Sequence, residues 1–270
     1  MRVLFFGDVV GKTGRNAVAK SLPILREKHK PDLVIANAEN LAHGKGLTLS
    51  TFNFMIETGV DFFTTGNHVF DKPEAKEVFQ KYPDKIIRPA NFSDDLPGQG
   101  SALLDIQGVS VLIINLNGQV FMEKQFDYGQ IANPFEKLNQ ILESIGPRAK
   151  VKILDFHAEA TSEKRGMGFW ADGRVSVVLG THTHVATADT QILPFGTGYQ
   201  TDVGMVGAAD SIIGVNREGA LKKLLADPTN LEKISLEVAD SDQYEVSYAF
   251  FEIDEGSGKC KNIKGHLLRI

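Results

Sequence analysis

The chain alternates short apolar runs with amphipathic stretches, and that rhythm predicts strands interleaved with helices. Val3-Leu4-Phe5-Phe6 is unbroken apolar sequence, as expected of a strand covered on both faces. A helix follows over Gly14 to Lys28, with Val18, Leu22 and Leu25 on one face and Pro23 expected to kink it. Leu33 to Ala36 is a second strand. Thr48 or Ser50 caps a helix that carries Phe52, Met55 and Ile56 and ends at Gly59. Val60 to Thr64 is a third strand, and Val109 to Leu116 a longer one. Asn133-Pro134-Phe135-Glu136 opens a helix with Phe135, Leu138, Leu142 and Ile145 inward and Gly146 at its end. Val151 to Phe156 and Val175 to Leu179 are further buried strands. Beyond Gly180 glycine, threonine and aspartate dominate to about residue 210, with a strand fragment at Gln191-Ile192-Leu193. The chain closes with strands over Tyr244 to Ile253 and Lys259 to Leu268 around the turn 254–258. No repeat, low-complexity tract or linker interrupts this order, so residues 1–270 read as one mixed α/β domain.

Bulk properties narrow the function classes. Of the 270 residues 42% are hydrophobic, and the net charge is −5. That acidity argues against a dedicated nucleic-acid or anionic-membrane surface. It leaves room for a small anionic substrate, because a bound metal supplies positive charge locally. The single cysteine, Cys260, permits no intramolecular disulfide. The apolar start stops at Asp8 with no small-residue cleavage site, so it reads as a first strand and not as a signal peptide. No run approaches the ~18 apolar residues of a membrane helix. The expectation is a cytoplasmic protein.

The ionisable residues fall at one kind of place. Phe5-Phe6-Gly7 ends in Asp8, and Leu33 to Ala36 leads into Asn37-Ala38-Glu39-Asn40. Phe62 to Thr65 leads into Gly66-Asn67-His68, and Ile153 to Phe156 ends in His157. Val178-Leu179-Gly180 leads into Thr181-His182-Thr183-His184. Open α/β sheets bind ligands beyond the carboxyl ends of their strands. Taken singly, Asp8 and Asn67 could serve turns, and His157 could be a hydrogen-bonded structural histidine. His182 and His184, spaced i and i+2, would point to the same side of an extended chain, where two imidazoles repel unless a metal holds them neutral. His29 and His266 read as structural or surface residues. His43, in the glycine-flanked loop 41–46, could reach the site, or simply belong to the loop.

Gly7 to Thr13 imitates a phosphate-binding P-loop but has three residues, not four, before Gly-Lys-Thr. Asp8 would also put a carboxylate where phosphate oxygens belong.

Asp8, Glu39, Asn40, Asn67, His157, His182 and His184 offer seven donors and no thiolate. Such a set suits iron, manganese, zinc or magnesium better than a structural zinc. Seven donors exceed one tetrahedral ion and fit two ions with a bridging carboxylate. Two ions ~3.5–4 Å apart clamp in-line displacement at phosphorus and acidify a bridging water. His68, beside Asn67, is free to protonate the leaving oxygen.

In order along the chain, Gly7-Asp8, Gly66-Asn67-His68, His157 and Gly180-Thr181-His182-Thr183-His184 resemble the motifs of the calcineurin-like metallophosphoesterases. Asn-Ala-Glu-Asn at 37–40, Thr-Gly-Asn-His at 65–68 and Thr-His-Thr-His at 181–184 are similar to the YmdB-like phosphodiesterase branch. The resemblance implies a four-layer α/β/β/α sandwich and a dinuclear site, of iron or alternatively manganese or magnesium. It implies hydrolysis of cyclic nucleotides, notably 2′,3′-cyclic ones such as 2′,3′-cyclic AMP, through attack of the metal-bridging hydroxide. By position, Asp8, Glu39, Asn40 and His184 would hold the first metal. Glu39, Asn67, His157 and His182 would hold the second, with Glu39 as bridge and His68 as proton donor. Two departures from the wider superfamily stand out. Asp8-Val9-Val10 lacks the histidine of the usual Asp-x-His, and Glu39 replaces the usual bridging aspartate.

Other readings remain at this point. One is a regulatory, nucleotide-binding module with incidental turnover, using loops between 160 and 216 as a partner surface. Another is an amide hydrolase of the His-x-His barrel type. For substrate contacts, His43, Lys45, Arg88 and Asn91 are the polar candidates, and Phe169 or Trp170 could stack on a base. The edges of the C-terminal strands raise self-association as a homo-oligomer.

Overall fold

The computed structural model describes residues 1–122, 131–227 and 236–270. Its elements run β1 (Arg2–Val9), α1 (Gly11–His29), β2 (Leu33–Asn37), α2 (Leu49–Thr58), β3 (Phe62–Thr64), α3 (Ala75–Lys81), β4 (Ser101–Ile106) and β5 (Val109–Asn117). They continue with α4 (Pro134–Ser144), β6 (Val151–His157), α5 (Thr161–Ala171), β7 (Val177–Thr181), β8 (Gln191–Ile192), β9 (Gly198–Gln200), β10 (Met205–Ala208), α6 (Arg217–Leu224), β11 (Tyr244–Ile253) and β12 (Cys260–Arg269).

Two six-stranded sheets form, in the orders β12-β11-β10-β1-β2-β3 and β4-β5-β6-β7-β9-β8. Strands β1, β2 and β3 are parallel, as are β5, β6, β7 and β9. The continuous apolar runs divide by parity. Val3 and Phe5 of β1 face the second sheet, whereas Leu4 and Phe6 face α1 and α2. In β6, Val151 and Ile153 face the first sheet, and Leu154 and Phe156 pack with Leu138 of α4 and Met167 of α5. Helix, sheet, sheet and helix therefore stack as the expected α/β/β/α sandwich. Two open sheets also exclude the barrel that an amidohydrolase needs.

Local signals account for the helix boundaries. Thr48 caps α2 with a reciprocal box to Thr51, and Gly59 closes it in the left-handed region. Asn133 accepts hydrogen bonds from Phe135 N and Glu136 N to start α4. Helix α1 begins at Gly11, three residues before the expected start, and continues through Pro23. Strand β7 lies two residues later than expected. The stretch 160–216, expected to be mostly loops around one strand and a strand fragment, contains α5 and the four strands β7 to β10. Elements α3, β4 and α6 were not foreseen.

His29 and His266 are structural. His29 stacks on Phe250 at 4.4 Å and lies 3.2 Å from the Tyr248 hydroxyl, and His266 stacks on Tyr248 at 4.7 Å. Strand β12 is an edge strand, as expected. No helix among the described residues is long and apolar enough to cross a membrane.

Candidate metal centre

Register brings the polar strand ends together. Asp8 pairs with Asn37, Asn37 with Thr64, and His157 with Thr181. Hydrogen bonds then tie the two facing sheets together at these strand ends. Asn37 Nδ2 donates to Asp155 Oδ2 at 3.0 Å, and Thr65 N donates to Asn115 Oδ1 at 3.0 Å. All seven candidate ligands converge here. Asp8, Glu39, Asn40, Asn67 and His157 are buried, and His182 and His184 are partly so.

Two groups share one carboxylate. Ligand atoms of Glu39, His157 and His182 lie within 4.8 Å of one another, as do those of Asp8, Glu39 and His184. Four heteroatoms meet at one point: His157 Nε2 lies 3.0 Å from Asn67 Oδ1, 3.2 Å from Glu39 Oε2 and 3.1 Å from His182 Nδ1. Asn40 Nδ2 lies 3.0 Å from Glu39 Oε1 and 3.1 Å from His184 Nε2. A half-turn of that amide presents Oδ1, the atom a cation requires, to the same place. Asp8 Oδ2 accepts from His182 N at 3.0 Å, while its buried Oδ1 has no hydrogen-bond partner. An orphaned carboxylate oxygen in a dry site is costly unless a cation meets it. The donor set therefore fits a metal centre.

The two histidines do not sit on an extended strand. Strand β7 ends at Thr181, and His182 and His184 have φ of 100° and 66°. These left-handed residues turn the rings apart, His182 to His157 and His184 to Asn40, so the same-side argument from i,i+2 spacing does not apply. Each imidazole is oriented by its other nitrogen. His157 Nδ1 bonds Thr181 Oγ1 at 2.8 Å, His182 Nε2 meets Glu159 Oε2 at 3.0 Å, and His184 Nδ1 donates to Ile213 O at 2.8 Å. Gly66 is needed for space. A Cβ there would overlap Glu39 Oε2 and His157 Nε2.

Electrostatics shows the same lack of positive charge. Burial pushes the Asp8 carboxyl up. Burial also opposes ionisation of Glu39, but the neighbouring His157 imidazolium outweighs it and holds Glu39 well below the carboxylate range. Burial likewise disfavours a charged His157, yet Glu39, Asp8 and Asp155 raise it to about 9. Burial and the His157 charge drop His182 to about 2. Without a metal, His157 carries the cluster's positive charge.

A cavity of about 520 Å³ opens over the cluster. His68 lines it, with Nδ1 held by Asp71 Oδ2 at 2.9 Å and its backbone N donating to Glu39 Oε2 at 3.1 Å. His43 and Lys45 line it too. Arg88 and Asn91 do not reach it. Buried Arg88 donates to the carbonyls of Pro89, Leu96 and Pro97, and Asn91 bonds the backbone of Asn117 and Ala132. Their polarity serves loop geometry. Phe169 and Trp170 are outside as well, half-exposed on α5 beside Arg165 and Phe135. The P-loop imitation is used up internally, since Gly11 N donates to Asn40 O and Thr13 Oγ1 to Ala239 O.

Several site residues escaped the sequence reading. Asp155, Thr181, Glu159, Asp71 and the buried pair Lys164–Asp202 hold the candidate ligands or their loop, and of these only Glu159 lines the cavity. The separations in chain, 38 residues for Lys164 and Asp202, leave no local signal.

This sandwich, with its polar cluster at the shared strand ends, is the fold of the metallophosphoesterases. A 5′-nucleotidase from Candida albicans superposes with a TM-score of 0.59 at 13% identity, over 98% of this chain and 50% of that one, a likeness of fold alone. The YmdB-like protein family model matches residues 4–265, and the chain belongs to that family. A 2′,3′-cyclic-nucleotide 2′-phosphodiesterase from Bacillus subtilis is 42% identical over 268 residues, 99% of this chain and 97% of that protein. A solved phosphatase from Mycoplasma pneumoniae superposes with a TM-score of 0.90 at 35% identity, over 100% of this chain and 93% of that one.

Proposed function

We propose that the chain is a metal-dependent phosphodiesterase that opens 2′,3′-cyclic nucleotides, 2′,3′-cyclic AMP among them. The observation that carries this reading is the pair of ligand groups sharing Glu39 at the floor of a nucleotide-sized cavity. The Bacillus subtilis relative, so named and matched over nearly its whole length, supports the substrate class.

Asp8, Glu39, Asn40 and His184 would hold one ion, and Glu39, Asn67, His157 and His182 the other. Oxygen and imidazole donors without thiolate suit iron, or alternatively manganese or magnesium. When bound, two such ions acidify water and neutralise the phosphoryl oxygens. The protein's own groups supply the rest. Gly66 and the buried carboxylates hold the ligands in place, and the sheets exclude bulk water from them. His68 faces the cavity with its ring anchored by Asp71, placed to protonate the 2′ oxygen as its bond to phosphorus breaks. The product is a nucleoside 3′-phosphate. His43 and Lys45 stand at the cavity wall as substrate contacts.

Purified, metal-loaded protein should turn over 2′,3′-cyclic AMP, and chelation should abolish turnover. His68→Ala should keep its metal and lose roughly 100-fold or more in rate. Full activity in His68→Ala would remove the acid role. Nucleotide binding without turnover would replace an enzyme by a binding protein.

A further inference from the structure

Lys45 and Lys223 line the same cavity from separate elements. Lys45 sits on the turn in which Ala42 N donates to Gly46 O, and Lys223 lies in the last turn of α6. Neither makes an ion pair with a described residue. The two carboxylates of the lining are already engaged, Glu39 with His157 and Glu159 with His182. The same lining carries an aliphatic strip. Val10, Val215 and Val238 form it, and Val215 is bridged to Val238. The close seat of Val238 against Gly44 fixes the lysine turn to that strip, since a Cβ on Gly44 would reach 2.6 Å from Val238 Cγ2. His184 Nδ1 bonds Ile213 O, which ties this candidate ligand to the segment leading into α6. The rings of the described lining are the imidazoles of His43, His68, His182 and His184, with no Phe, Tyr or Trp among them.

We propose that Lys45 and Lys223 form a second anion subsite, which selects nucleotides carrying a further phosphate on the 5′ oxygen beyond the phosphodiester that is cleaved. This rests on the phosphodiesterase reading. A cyclic phosphodiester brings one negative charge, and the metal centre meets it. Two further cations without an ion-pair partner on the same lining match a second phosphate, with the nucleoside lying along the aliphatic strip. Lysine suits this task as a point charge that needs no bidentate geometry.

The test compares 2′,3′-cyclic AMP with its 5′-phosphorylated form in the metal-loaded protein, the Lys45→Ala/Lys223→Ala variant and the Lys45→Arg/Lys223→Arg variant. Binding of adenosine 3′,5′-bisphosphate is compared with adenosine 3′-phosphate by calorimetry in the same proteins. The 5′-phosphate should lower KM and Kd about five- to tenfold in the unaltered protein. The ratio should fall to about one in the alanine variant and persist with arginine. A Kd ratio of one in the unaltered protein overturns the subsite, as does a ratio that survives in the alanine variant. If neither cyclic substrate is hydrolysed, the phosphodiesterase reading falls, and the Kd ratio alone still decides the subsite.

Discussion

The ammonium of Lys164 lies 2.6 Å from Oδ2 of Asp202, and both side chains are buried directly behind the His182–His184 loop. The same carboxylate oxygen accepts from Thr183 N at 3.1 Å and Thr183 Oγ1 at 2.8 Å, and Oδ1 accepts from Gly204 N at 2.7 Å. Asp202 thus grips the residue between two histidines held in left-handed conformations. Asp202→Ala would leave a buried ammonium unpaired and release Thr183. Stability should fall by about 3–5 kcal/mol in denaturant unfolding, and metal content should drop with it. A loss under about 1 kcal/mol with full metal content would show that the pair does not position the loop.

Thr181 links His157 to the interior. Its hydroxyl donates to Asp155 Oδ1 at 2.7 Å, so it can only accept from His157 Nδ1, at 2.8 Å. That leaves His157 Nε2 as the nitrogen for the cluster. Thr181→Val keeps the shape and removes both bonds. Metal affinity should weaken about 10- to 100-fold in a direct titration, with the fold intact. Unchanged affinity would mean that packing alone orients the ring.

The convergence of the candidate ligands was legible because continuous apolar runs end in carboxylate, amide or imidazole at the same end of parallel strands. Helix α5 behind them was not. Helix α5 buries Lys164 and sets Gly168 against Tyr199, while its largest residues, Phe169 and Trp170, face outward. Its aromatic positions therefore mark the wrong face. Arg88 and Asn91 looked like substrate contacts because polarity alone does not separate a ligand donor from a loop brace. Lys223 had no signal at all, since α6 meets the cavity only through tertiary approach.

Gly66 has an ordinary backbone, so its requirement is steric. A methyl group there must displace Glu39 Oε2 or His157 Nε2, two atoms of the candidate metal centre. Gly66→Ala should fold, yet lose at least one metal per chain and roughly 100-fold in rate, in line with the cost of misplacing a catalytic group by about 1 Å. Metal analysis beside a thermal melt separates this from general unfolding. A variant with full metal and full activity would show that the loop after β3 yields.

Metal uptake should be coupled to proton release. In the metal-free protein His157 titrates near 9 against an ordinary 6.5; burial opposes its charge, but Glu39, Asp8 and Asp155 favour it more. At neutral pH its ring is protonated, and a cation can bind Nε2 only by expelling that proton. Apparent affinity should therefore rise about tenfold per pH unit and per proton released, levelling off above about 9. Linkage gives a second sign. A raised folded-state value stabilises the metal-free protein fully below 6.5, and that contribution is lost as pH rises towards 9. The metal-free protein should thus melt lower as pH rises through this window, while the loaded protein, whose His157 is already deprotonated, should not share the decline. Calorimetry at pH 7 in two buffers of different ionisation enthalpy should report at least one proton released per chain. A buffer-independent heat would mean that the cluster is already deprotonated before the metal arrives, and that His157 is not its resident cation.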